Sequence, residues 1–183
     1  PASSFACAIQ DVFDVDLFLR NIALEILMGQ WDGYAYNKNN FYLYQRESDG
    51  KMVYLSYDLD NTFGIDWFNI NWATRNIYTW SPGNQARPLY SKLLAVPYFR
   101  DRFTYHMMDL LDSVWNVGAL QSLLEDQQQL ISPAALADAY KVQALRGTRF
   151  LSSDAEIDIA VLGDEVAVRG AAVEQVQQAE RAG

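Results

Sequence analysis

Only one segment of this chain reads as sheet, and that limits the folds open to it more than any other feature. Phe41-Tyr-Leu-Tyr44 and Met52-Val-Tyr-Leu-Ser-Tyr57 carry the aromatic and branched residues of strands. Asp49-Gly50 between them favours a turn. The flanking sequence is helical or irregular. Asp14 or Asp16 can cap a helix that runs to about Met28, and Gly29 can stop it. Its apolar residues cover most of the circumference, which predicts a buried helix. Residues 30–39 and 58–64 read as loops, and residues 65–85 as a long irregular stretch carrying Trp67, Phe68, Trp72, Tyr78 and Trp80. A loop of that length is usually functional or a lid.

From Pro88 the pattern predicts helices over 88–94, 97–114 and 117–130, then a short helix opened by Ser132-Pro133. Residues 155–182 read as helical at least in their second half, with Gly163 as an interruption point. The expected class is therefore α+β, predominantly helical, with one small hairpin. No internal repeat or linker divides the 183 residues, which suit a single domain.

Composition narrows the chemistry. Half the residues are hydrophobic and 20% are charged, a globular balance. The net charge is −9 and no basic run is present, so nucleic acid is not an expected partner. One cysteine, Cys7, and one histidine, His106, argue against cysteine-rich zinc, iron–sulfur and histidine-based metal sites. Oxygen ligands remain, which suit Mg²⁺, Ca²⁺ or Mn²⁺. No stretch is apolar enough to span a membrane, and no signal peptide opens the chain. It begins at Pro1 without an initiator Met, as a segment of a longer protein would.

The informative stretch is Gln30 to Gly64. If the hairpin turn centres on Asp49, Asn40 faces Asp58 at the open end. Cross-strand partners lie about 4.5–5.5 Å apart, so an amide oxygen and a carboxylate there can share one hard cation. Asp32 sits on the loop entering the same end. This is the order that phosphoryl transfer uses: an Asp at the attacking hydroxyl, then an Asn and a second Asp for Mg²⁺ on the nucleotide phosphates. Four residues separate Asp32 from Asn37, the spacing of ordinary protein kinases, and Phe63-Gly64 follows Asp58. Asp58-x-Asp60-Asn61 lacks the Gly and Glu of a calcium loop.

Asn37-Lys-Asn-Asn-Phe-Tyr-Leu-Tyr44, the hairpin, and Tyr57-Asp-Leu-Asp-Asn-Thr-Phe-Gly64 resemble the spore coat protein H family of atypical protein kinases, the CotH kinases. The Trp31-Asp-Gly33 lead-in, Arg87-Pro-Leu-Tyr-Ser-Lys-Leu-Leu94, Pro97-Tyr-Phe-Arg100 and Arg169-Gly-Ala-Ala-Val173 extend the likeness over most of the chain. The resemblance implies a reduced protein-kinase fold and ATP- and Mg²⁺-dependent (or Mn²⁺-dependent) phosphorylation of Ser or Thr on a protein substrate. It implies that Asp32 is the catalytic Asp and that Asn40 and Asp58 hold the metal and the nucleotide. Asn40 better matches the family's metal Asn and Asn37 the spacing of ordinary kinases; Asp60 is a supporting ligand or a loop cap. The implied setting is a bacterial spore coat, a cell surface or secretion.

One departure stands out. A kinase clamps the nucleotide phosphates with a lysine upstream of its catalytic Asp. Here Arg20 is the only basic residue before Asp32, and its place in the helix predicts burial and pairing with Asp16. Residues 1–13 are too few for a sheet lobe. The expectation is that residues 1–183 form the C-terminal, catalytic lobe, that the N-terminal ATP-clamping portion is absent, and that this chain alone is inactive. A non-catalytic kinase-like binding or scaffolding module is the rival reading. A glycoside hydrolase using Asp32 and Asp58 would leave the Asn–hairpin–Asp order unexplained. Tyr42, Tyr44, Tyr54 and Tyr57 are expected to pack, and His106 to be structural.

Overall fold

A computed structural model describes residues 2–137 together with residues 174, 177 and 178. Five helices and one hairpin follow in the order α1 (Ala2–Val12), α2 (Val15–Leu27), β1 (Phe41–Gln45), β2 (Met52–Ser56), a 3₁₀ turn (Trp72–Thr74), α3 (Pro88–Leu94), α4 (Pro97–Ser113) and α5 (Val117–Ala137). The α+β, mostly helical class expected from the sequence is the class observed. The helix read over 155–182 and its Gly163 lie outside the described residues, except that 174, 177 and 178 are helical.

α2 is the central element. The Asp14 carboxylate caps it by accepting from the Leu17 N–H at 3.2 Å. Val15, Phe18, Leu19, Ile22, Ala23, Ile26 and Leu27 are buried along it, and each large side chain so buried contributes about 1.5–3 kcal/mol. α2 packs against α4 on one side and β2 on the other. Burial is not complete around the helix, however: Asp16, Leu17 and Arg20 are exposed. Arg20 is therefore not the buried residue its pattern suggested. Nor is Asp16 its partner, because the Asp16 carboxylate binds Arg102 at 2.7 Å and His106 at 3.0 Å across the α2–α4 contact. His106 is buried and structural, as expected.

Pro97 opens α4, whose Phe99, Phe103, Met107, Leu110 and Leu111 are buried at helical spacing. α5 differs from its reading. It continues through Pro133 instead of ending at 130 and restarting. Proline removes one helical N–H, and independently of this the Ser132 hydroxyl donates to the Gln128 carbonyl at 2.6 Å, one turn back. α1 was not anticipated at all. Phe5, Ala6 and Ile9 rest against the core, and the Asp14 N–H reaches the Met52 carbonyl at 2.9 Å beyond its end.

The hairpin register also departs from expectation. Phe41 pairs with Ser56 and Gln45 with Met52. The reason lies in the turn. Arg46 N–H donates to the Lys51 carbonyl and Gly50 N–H to the Arg46 carbonyl, both at 2.8 Å, which leaves a four-residue loop. Gly50 supplies its left-handed residue at φ 72°. Arg46 clamps the loop through Asp49 at 2.6 Å and ties it to Asp14 at 2.8 Å. A loop one residue different from a turn centred on Asp49 moves every β2 side chain to the other face. Phe41 and Tyr54 consequently share the inner face, their rings stacked at 5.6 Å. Tyr42, Tyr44 and Tyr57 do not pack in the core; they are exposed at 56%, 51% and 53%, whereas Tyr54 is fully buried.

Candidate functional site

The open end of the hairpin meets the C-terminal end of α2. Gly29, at φ 69°, ends that helix, and the Phe63 N–H donates to the Met28 carbonyl at 2.7 Å, pinning the segment after β2 beside it. Residues 31–38 form a tight loop closed by the Asn37 and Lys38 N–H groups on the Gly33 carbonyl, both at 3.0 Å. Asp32 projects from this loop, half-buried.

Asparagine amides surround its carboxylate. Asn37 Nδ2 donates to Oδ1, and Asn40 Nδ2 donates to Oδ2 at 2.9 Å. Asn39 approaches both oxygens at 3.4–3.5 Å, and Asn61 Nδ2 approaches Oδ2 at 3.5 Å. Asp32, Asn37 and Asn40 are thus brought together. Asp58 is joined through its backbone: its carbonyl accepts from Gln30 Nε2 at 3.0 Å and from Asn40 Nδ2 at 3.5 Å. Its side chain is exposed, as is that of Asp60. Asp60 Oδ1 takes the Asn61 amide at 2.8 Å, so it reaches the cluster at one remove.

Asn40 and Asp58 are not cross-strand partners as the sequence suggested. In the observed register Asn40 lies opposite Tyr57, whose N–H donates to its carbonyl at 3.0 Å. Both residues then leave the hairpin in the left-handed region, Asn40 at φ 50° and Asp58 at φ 49°. Asn and Asp tolerate that conformation better than other side chains do. The two still meet, but through a turn at each strand end.

Beneath the site lies a buried carboxyl that sequence reading missed. Glu25 is 2% exposed and sits among the apolar residues of α2. Its Oε1 accepts from Ser56 Oγ at 2.6 Å and Tyr54 OH at 2.9 Å, while Oε2 has no hydrogen-bond partner. Burial pushes its carboxyl up from the ordinary range, against the pull of those two donors. Oε2 lies so close to Gly33 that a Cβ there would meet it at 2.6 Å. Gln30 and Asn61, both buried, were missed as well. Asn61 could have been suspected from its place directly after Asp58-Leu-Asp60; Gln30 carries no sequence signal.

The aromatic stretch leans on the same loop. Trp31 Nε1 donates to the Ile65 carbonyl at 2.8 Å. Its rings meet Trp67 at 5.1 Å and Phe68 at 5.0 Å, with Trp67 left 73% exposed. Arg75 lies over the Tyr36 ring at 5.0 Å.

The donor set is all oxygen and amide. Among the described residues no three of His, Cys, Asp and Glu are grouped to hold a metal. A cation here would take one or two carboxylates, an amide oxygen, and water or phosphate, which is the habit of Mg²⁺. No helix among the described residues is long and apolar enough to cross a membrane.

Fold and site together define an α+β protein with a cluster of Asp and Asn side chains at the open end of its only described hairpin. The chain belongs to the CotH kinase protein family, whose model matches residues 1–173. It is similar to two proteins of Rhizopus delemar that it covers over most of its own length. Invasin CotH7 is 30% identical over 131 residues, 69% of this chain and 22% of that protein. Spore coat protein homolog 1 is 28% identical over 123 residues, 66% of this chain and 20% of that protein. Invasin CotH3 matches a shorter stretch of 58 residues at 36% identity. The chain therefore spans about a fifth of the length of the first two of these relatives.

Proposed function

We propose that this chain is the catalytic, kinase-like lobe of a protein that transfers phosphate from ATP to Ser or Thr of a protein substrate. What supports the reading is one observation above the rest: the Asn40 amide bonds the Asp32 carboxylate at 2.9 Å and reaches the Asp58 carbonyl at 3.5 Å. The residues that phosphoryl transfer would need are thus neighbours, although 26 positions separate the two aspartates.

In this reading Asp32 accepts the hydrogen bond of the substrate hydroxyl and takes its proton as the bond to phosphorus forms. Asn37 and Asn40 fix the direction of its carboxylate. Asp58 and Asn40 hold Mg²⁺ or Mn²⁺, with Asp60 in support. Their oxygens fit such an ion, which would neutralise the charge on the nucleotide phosphates when bound. No lysine precedes Asp32 in this chain, so in this reading the phosphate-clamping lysine comes from outside residues 1–183. The spore coat and invasin names of the relatives favour a coat, surface or secreted setting. The same names support a second reading, a kinase-like module that binds without catalysis.

The test is Mg²⁺–nucleotide binding and turnover in the protein at its natural length. Asp58→Ala should abolish Mg²⁺-dependent nucleotide binding. Asp32→Asn should leave that binding in place and lower kcat by about 10²–10⁴-fold. Equal nucleotide affinity in wild type and Asp58→Ala overturns the metal assignment. Absence of any nucleotide binding by the wild type leaves the binding-module reading.

A further inference from the structure

The two aspartates reach the site from separate segments, and something must set their spacing. Gln30 touches both. Its Oε1 accepts from the Asp32 N–H at 3.1 Å, and its Nε2 donates to the Asp58 carbonyl at 3.0 Å. Its own N–H is bonded to the Glu25 carbonyl at 2.8 Å, on the last turn of α2. It is 1% exposed. Buried in this way, the side chain cannot exchange either bond for water, and the bonds are directional.

We infer that Gln30 is the positioning residue of this site, the strut that holds the Asp32 loop and the Asp58 strand exit at a fixed separation. The inference rests on the phosphoryl-transfer reading and adds a residue to it. Asp58 has a particular need of such a strut. Its left-handed backbone, better tolerated by Asp than by most side chains, still carries a cost, and a bond that holds the carbonyl in place offsets it. Asn40 reaches that carbonyl only at 3.5 Å, whereas Gln30 does so at 3.0 Å. The length of the side chain matters as well. Asparagine, one methylene shorter, cannot keep both bonds from the same backbone position. Methionine has the right length but neither donor nor strong acceptor. Without the strut the Asp32 loop and the Asp58 turn can drift apart, and reactions of this type lose on the order of 100-fold in rate for about 1 Å of misplacement.

The experiment compares wild type, Gln30→Met and Gln30→Asn in the protein at its natural length, beside Ile22→Val, a conservative core variant on α2. Steady-state kinetics give kcat and KM for the protein substrate, and hydrogen exchange reads the Asp32 amide. Both Gln30 variants should lose at least about tenfold in kcat with little change in KM for the protein substrate. Their Asp32 amide should exchange faster than in wild type. Ile22→Val, which costs only general stability, should change neither readout. If Gln30→Met does not fold, Gln30→Asn carries the comparison. Wild-type kcat and Asp32 exchange in a folded Gln30 variant overturn the inference, and so does an equal loss in Ile22→Val. A wild type without phosphoryl transfer overturns the kinase reading instead. The strut is then judged by exchange alone, where faster Asp32 exchange in the variants supports it and unchanged exchange overturns it.

Discussion

Gly33 follows the proposed catalytic Asp, and replacing it with alanine should reveal how tightly the floor of the site is packed. Its φ is not left-handed, so the substitution brings no backbone strain, and its cost is steric. The new Cβ would stand 2.6 Å from Glu25 Oε2, 3.4 Å from Glu25 Cδ and 3.5 Å from Gln30 Cγ. The last two are ordinary contacts and the first is a collision. Glu25 cannot simply retreat, because it is buried and its other oxygen is held by Tyr54 and Ser56. Either the Asp32 loop lifts, an overpacking strain of about 1–3 kcal/mol, or the carboxyl swings away and gives up a buried hydrogen bond at about 1–3 kcal/mol. The two routes cost similar amounts, so Gly33→Ala should destabilise by about 2 kcal/mol, or about 4–8 °C in Tm for a domain of this size. Urea denaturation with an unchanged m-value measures it. In a double-mutant cycle with Glu25→Ala the penalty should shrink, because the colliding oxygen is gone. A cost below about 0.5 kcal/mol, the range of ordinary surface changes, or a strictly additive cycle would refute the steric account.

Two further expectations concern pH. Burial pushes the Asp16 carboxyl up, but the bonds from Arg102 and His106 outweigh it, so its value lies below the ordinary 3.8. The stability from this contact is then present above that ordinary value and lost as pH falls through the folded one. Asp16→Asn should lower the denaturation midpoint at pH 7 and become harmless in strong acid; a penalty independent of pH would contradict this. Glu25 is shifted the other way. The unfolded chain releases its proton near the ordinary 4.5, while the folded protein retains it to higher pH, so the contribution of Glu25 to stability falls as pH rises above about 4.5. The midpoint difference between Glu25→Gln and wild type should therefore shift in the variant's favour from pH 4 to pH 7, and a flat difference would count against a raised value.

What the sequence determined by itself was local. The helix cap at Asp14, the proline starts of α3 and α4, and the single hairpin depend on residues a few positions apart, and such signals can be read directly. The same holds for Trp31-Asp-Gly33, Asn37-Lys-Asn-Asn40 and Asp58-Leu-Asp-Asn61, which were enough to recognise the family and to nominate Asp32, Asn40 and Asp58. Tertiary structure decided the rest. Hairpin register depends on whether the loop closes with four residues, and the Arg46 that clamps this loop through Asp49 also reaches Asp14, 32 positions away. The register in turn put Tyr54 inside and left Tyr42, Tyr44 and Tyr57 outside. Arg20 looked buried because α2 is apolar nearly all round, but which stripe of a helix faces solvent is fixed by where α4 and the hairpin dock. Glu25 and Gln30 were invisible for a related reason. A polar side chain at the end of an apolar helix has no pattern that distinguishes a surface residue from a buried one. Its partners, Ser56 and Tyr54 for Glu25 and Asp58 for Gln30, lie 28 to 31 positions away, and a buried polar group is tolerable only where the fold brings such partners to it.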